Sequence, residues 1–139
     1  MRAAVRGAIL ALVAAALGVA LVWVADHPPT RDSRYPKCFH YKLSGTHCPG
    51  CGTARALHFA LNGDLARAAG NNVFSLVALP VVLVATVPKL VRWVLGRPQS
   101  DWRLGARWVK LLVVLLLLFW ISRNIPLYPF TLLAPTELP

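Results

Sequence analysis

The chain has 139 residues, of which 57% are hydrophobic and only 14% charged, with a formal net charge of +10. That length sets one domain as the upper bound, and an apolar share so far above the globular average points to an integral membrane protein. Nucleic-acid binding finds no support in the positive charge, because the basic residues flank apolar runs and no basic stripe with interleaved aromatics occurs.

The first apolar run, about residues 8–25, is uncharged and follows Arg2 and Arg6. Gly18-Val19-Ala20 is a weak cleavage site for a signal peptide, but the apolar run continues past it through Leu21 to Val24, which favours an uncleaved signal anchor. Eighteen helical residues reach about 27 Å, just enough to cross the hydrocarbon core.

Residues 26–70 form a motif loop that carries nearly all the reactive side chains, including Cys38, Cys48 and Cys51 and all four histidines. Pro28-Pro29 breaks the chain after the first span. Thr53 suits an N-cap, Ala54–Leu61 a short interfacial helix, and Asn62-Gly63-Asp64 a helix stop, a left-handed turn and the next N-cap. On the short helix Arg55, His58 and Asn62 share one face. This stripe either lies wet on the bilayer surface or lines a pocket headed by the thiols.

The second span, about 71–88, contains Pro80 and ends at Pro88; each removes a backbone donor, so a bend is expected there. The third, about 108–124, is built on the aliphatic run Leu111–Leu118. Trp93, Trp102, Trp108 and Trp120 sit near span ends, as interfacial aromatic residues do.

Basic residues orient the chain. Arg2 and Arg6 mark the N-terminus, and Lys89, Arg92, Arg97, Arg103, Arg107 and Lys110 the second loop, whereas only Arg123 follows the third span. The first loop dissents with Arg31, Arg34, Lys37, Lys42, Arg55 and Arg67, but at roughly twice the length and lower charge density. The N-terminus is therefore expected inside and the cysteine loop outside, where disulfides persist.

Three readings of Cys48-Pro49-Gly50-Cys51 compete. In the first, a disulfide staple pairs Cys38 with Cys48 or Cys51 and leaves one thiol over. In the second, a zinc knuckle draws on Cys38, Cys48 and Cys51 with His40 and His47, or His58, completing the ligand set. In the third, a helix N-terminus and Arg55 activate a redox thiol pair. The external side favours the staple with no cofactor; zinc is the alternative. Haem is disfavoured because Gly52 stands where its ligand histidine belongs.

Cys38, Cys48-Pro49-Gly50-Cys51-Gly52, Arg55-Ala56, Gly63-Asp64, Ala68 and Asn72 fall in the order of a known motif. So do the tail elements Arg123-Asn124-Ile125-Pro126, Pro129-Phe130 and Leu133-Ala134-Pro135. Over about residues 35–135 the chain resembles a bacterial integral-membrane family known only as domain of unknown function 2752. Val73 departs from the pattern, which often has proline there, and His40 and His47 are not part of it. The resemblance implies a bacterial cytoplasmic membrane protein and brings no established activity.

The expectation is thus an all-α membrane protein of a single domain, residues 1–139, with three transmembrane helices and an ordered extracytoplasmic cysteine loop. Arg55, His58, Asp64, Asn72 and Arg123 are expected to cluster at the outer rim, with Asp64 accepting from Arg55 or Arg123. Without a carboxylate pair or a Ser/His/Asp set, the function reads as a non-enzymatic accessory or ligand-binding subunit. Its partners would be the bilayer and a membrane protein or small ligand. The runner-up is a thiol-redox or zinc-dependent membrane enzyme.

Overall fold

The computed structural model of the chain describes residues 2–30, 35, 38–98 and 105–135. Arg31, Arg34 and Lys37 of the first loop, and Trp102 and Arg103 of the second, lie outside the described residues. Regular structure among the described residues is entirely helical: α1 (Arg2–Asp26), α2 (Phe39–Ser44), α3 (Thr53–Leu61), α4 (Leu65–Val94) and α5 (Ala106–Ser122), then a 3₁₀ turn at Phe130–Leu133. Two helices, α1 over Ala4–Asp26 and α4, are long and apolar enough to cross a membrane, which fits a membrane protein. Helix α5 is as apolar, but its 17 residues span only about 26 Å, so a third crossing is not shown.

Helices α1 and α4 run in opposite directions. Near the start of α1, Arg6 donates to the Trp93 carbonyl close to the end of α4 (3.3 Å), with its guanidinium 5.1 Å from the Trp93 ring centre. At the other end, α3 holds the last turn of α1. His58 Nδ1 lies 2.8 Å from the Val24 carbonyl, and Asn62 donates to the Ala25 carbonyl (3.0 Å). Carbonyls of a final helical turn have no partner within their own helix, so this polar face of α3 is occupied as a C-terminal cap for α1.

The turn between α3 and α4 forms as its residues dictate. Asn62 closes α3, Gly63 takes a left-handed φ of 81°, and Asp64 caps α4 by accepting from the Arg67 amide (2.9 Å). Position 53 differs from expectation: Gly52, at φ 81°, is the N-cap residue of α3, and Thr53 is the first helical residue. The Thr53 hydroxyl serves instead as a tertiary contact, 2.7 Å from Ser75 Oγ.

The break in α4 falls at Asn72, the one residue inside that helix with non-helical dihedrals (φ −164°, ψ 86°), and not at Pro80 or Pro88. Asn72 re-caps the chain as it resumes, its Oδ1 accepting from the Ser75 amide (2.9 Å). Asparagine can do this because its side chain competes with the helical backbone for local hydrogen bonds.

Burial is inverted relative to a soluble protein. Aliphatic residues along α1, α4 and α5 are bare, for example Leu12 at 71% and Val84 at 75%, and the large side chains most fully enclosed are Arg123, Asn71 and Asn72. With Cys51, Ala56, Phe59 and Ala68 they form a small, polar core at one end of the molecule. Apolar surface left uncovered on this scale requires a cover, which for a membrane protein would be lipid.

Candidate metal centre

Cys48-Pro49-Gly50-Cys51 is a tight turn, closed by the Cys51 amide donating to the Cys48 carbonyl (3.1 Å) and the Thr53 amide to the Gly50 carbonyl (3.2 Å). The Cys48 amide also points at Cys51 Sγ (3.3 Å), so a backbone donor faces a sulfur within the turn. Cys38, just ahead of α2, brings the third thiol. Cys48 Sγ stands 3.4 Å from Cys38 Sγ and 3.3 Å from Cys51 Sγ, and all three sulfurs lie within 4.8 Å of one another.

These separations correct the expected disulfide. A bond between sulfurs requires about 2.05 Å, and all three cysteines are free. The distances instead approach those of metal thiolates: ligands about 2.3 Å from a tetrahedral zinc stand about 3.8 Å apart.

The thiols differ in environment. Burial, helped by hydrogen bonds to the Cys48 and Cys38 thiols, pushes Cys51 up to about 12. Burial also acts to raise Cys38, but the Tyr41 amide, the Cys51 and Cys48 thiols and the His40 amide outweigh it and leave that thiol below its ordinary value.

The turn is held from behind by its carbonyls. Arg123, following α5, donates through Nη1 to the carbonyls of Cys48 (3.2 Å) and Pro49 (3.3 Å), and through Nη2 to that of Cys51 (3.1 Å). The Asn72 amide donates to the Pro49 (2.8 Å) and Cys51 (3.1 Å) carbonyls and to Thr53 Oγ1 (3.2 Å). Asn124 pairs with the backbone of His47 in both directions, accepting from its amide at 2.7 Å and donating to its carbonyl at 2.8 Å. Gly52 lies so close to α4 that a Cβ there would stand 2.5 Å from the Asn71 carbonyl oxygen.

Of the residues singled out from sequence, Cys38, Cys48, Cys51, Asn72 and Arg123 meet in this knot. His58 is at α1, and Asp64 is held by Arg67, which donates to it from both amide and side chain, not by Arg55 or Arg123. A carboxylate at a helix start meets the residue three positions on, so the local partner wins. Both Arg67 donors hold the Asp64 carboxyl below its usual range. Arg55 sits part-buried on α3.

His40 and His47 are outside the thiol cluster. His40 Nε2 is 3.0 Å from Thr46 Oγ1 with its ring edge-on to Trp120, and the His47 ring stacks on Tyr41 at 4.6 Å. The grip of Asn124 on the loop was not foreseen; the only signal for it was its place in the Arg-Asn-Ile-Pro tail.

Residues 38–86 match the model of a family described as a protein of unknown function, DUF2752. The match takes in the three cysteines, α2, α3 and most of α4, and ends before Arg123 and Asn124. No curated protein and no solved structure matches the chain.

Proposed function

We propose that this chain is a membrane-anchored metal-binding protein whose Cys38, Cys48 and Cys51 hold one thiophilic divalent ion of the zinc class. The observation that carries the reading is three convergent sulfurs within 4.8 Å of one another, too far apart to be bonded, with Cys48 about half an ångström short of thiolate-ligand spacing from each of its neighbours. Three protein ligands leave a fourth position for a small ligand or a partner's side chain, the arrangement of an exchangeable rather than a closed site. A backbone amide faces one sulfur, and Arg123 and Asn72 brace the carbonyls of the turn, an arrangement that suits holding an ion. The reading is therefore an accessory or ligand-binding role without turnover.

The site is read as lying on the outer side of a bacterial cytoplasmic membrane, with α5 as a third, short crossing. The density of Lys and Arg around the N-terminus and between α4 and α5 supports that orientation. A second reading, thiol redox chemistry, draws on the central place of Cys48, from which modest side-chain rotation would reach either neighbour.

Metal analysis with thiol counting separates the two. Protein purified in detergent with zinc present is expected to carry one ion per chain and to yield three labelled thiols once denatured with chelator and no reductant. Metal-free protein with two of the three cysteines unreactive would reject the metal site in favour of redox chemistry.

A further inference from the structure

Arg123 is 2% exposed, yet among the described residues its partners are all neutral: three loop carbonyls and the Phe119 ring, whose centre lies 4.9 Å away. Its Nε is buried with no hydrogen-bond partner. Asp64, the nearest acid in the motif, is committed to Arg67. A buried cation is costly unless an opposite charge lies within reach. Two of the residues whose carbonyls it grips, Cys48 and Cys51, carry thiols that can take up negative charge, and neutral thiols offer none.

We propose that Arg123 is the counter-ion of the metal complex and that it matches the site to a divalent ion. This rests on the metal reading above. Three thiolates around a divalent ion leave one negative charge, which the guanidinium cancels, so the loaded site is buried as a neutral unit. A monovalent ion such as Cu(I) would leave a negative charge uncancelled. Trivalent arsenic would form a neutral complex and leave the guanidinium uncompensated. Loading breaks three S–H bonds and forms three metal–sulfur bonds, three protons go to solvent, and no electron changes hands.

Arsenite supplies the discriminating probe. As(OH)₃ and three thiols give a neutral tris-thiolate and three waters, so its binding needs the sulfurs but no counter-ion. Zinc and arsenite affinities are measured on the full chain in detergent for the wild type, Arg123→Gln and Arg123→Lys. Arg123→Gln is expected to weaken zinc about 10–100-fold, the usual effect of removing a group that supports metal ligands, and to leave arsenite within a few-fold. Arg123→Lys, which keeps the charge but loses the fork to the carbonyls, is expected to retain most of the zinc affinity.

Equal losses of zinc and arsenite in Arg123→Gln would reduce Arg123 to a loop clamp and overturn the assignment, as would unchanged zinc affinity. Should Arg123→Gln lose its helical circular dichroism, the lysine variant decides: a folded Arg123→Lys without zinc overturns the counter-ion role. A wild type that takes arsenite but no divalent ion also refutes it while leaving the three-thiol site intact. A wild type that takes neither removes the metal reading itself.

Discussion

Single residues set the shape of the cysteine turn through what their backbones do. Gly52 and Gly63 share a left-handed φ of 81°, a region that costs a residue with a Cβ about 1 kcal/mol. They differ in surroundings: a Cβ on Gly63 meets nothing within 4 Å, whereas one on Gly52 meets the Asn71 carbonyl at 2.5 Å and Pro135 at 2.9 Å. Gly52→Ala is therefore expected to lower thermal stability in detergent well beyond Gly63→Ala, by on the order of 2 kcal/mol more, because backbone cannot give way as a side chain can. Equal shifts in the two melting temperatures would mean that the turn and α4 separate without loss. The glycine requirement at 52 was open to sequence reading only as part of a motif, since the atom that imposes it belongs to a residue 19 positions on.

At the scale of elements, α4 is two helices sharing one asparagine. Asn72 offers its oxygen to the Ser75 amide and its nitrogen to the carbonyls of Pro49 and Cys51. Asn72→Ala forfeits the cap, about 0.5–2 kcal/mol, and one of the two donors reaching each carbonyl. Asn72→Asp keeps a good capping oxygen but turns an acceptor toward two carbonyls. We expect the aspartate variant to melt no higher than the alanine variant, although aspartate is ordinarily the far better cap; a melting point near wild type would leave Asn72 with the cap alone. The uncharged runs made α1 and α4 legible, and Asn62-Gly63-Asp64 gave the turn between α3 and α4. The break did not show, because the apolar pattern runs through it and proline drew the expectation to Pro80. Nor did the use of His58 and Asn62 on α1, since the carbonyls they serve lie more than thirty residues away and every residue has one.

For the whole molecule, the opposed directions of α1 and α4 place the N-terminus and the segment after α4 at one end, and the three thiols at the other. Reporter fusions after Asn62 and after Arg97 are expected to read outside and inside respectively; the reverse pattern would overturn the orientation drawn from charge. Composition points to the membrane class, and the two long apolar helices fit it; with lipid over the aliphatic faces, burial would be left for polar groups that need one another. The burial of Arg123 depends on backbone acceptors that no side chain advertises in the sequence. The long reach of that clamp has a consequence in time. Arg123 follows Cys51 by 72 residues, so at about 5–20 residues per second a ribosome delivers it roughly 4–14 s later. During that interval the thiols have no guanidinium behind them, and they meet oxidant or metal as an unfinished loop. The last helix to arrive completes what the first loop began.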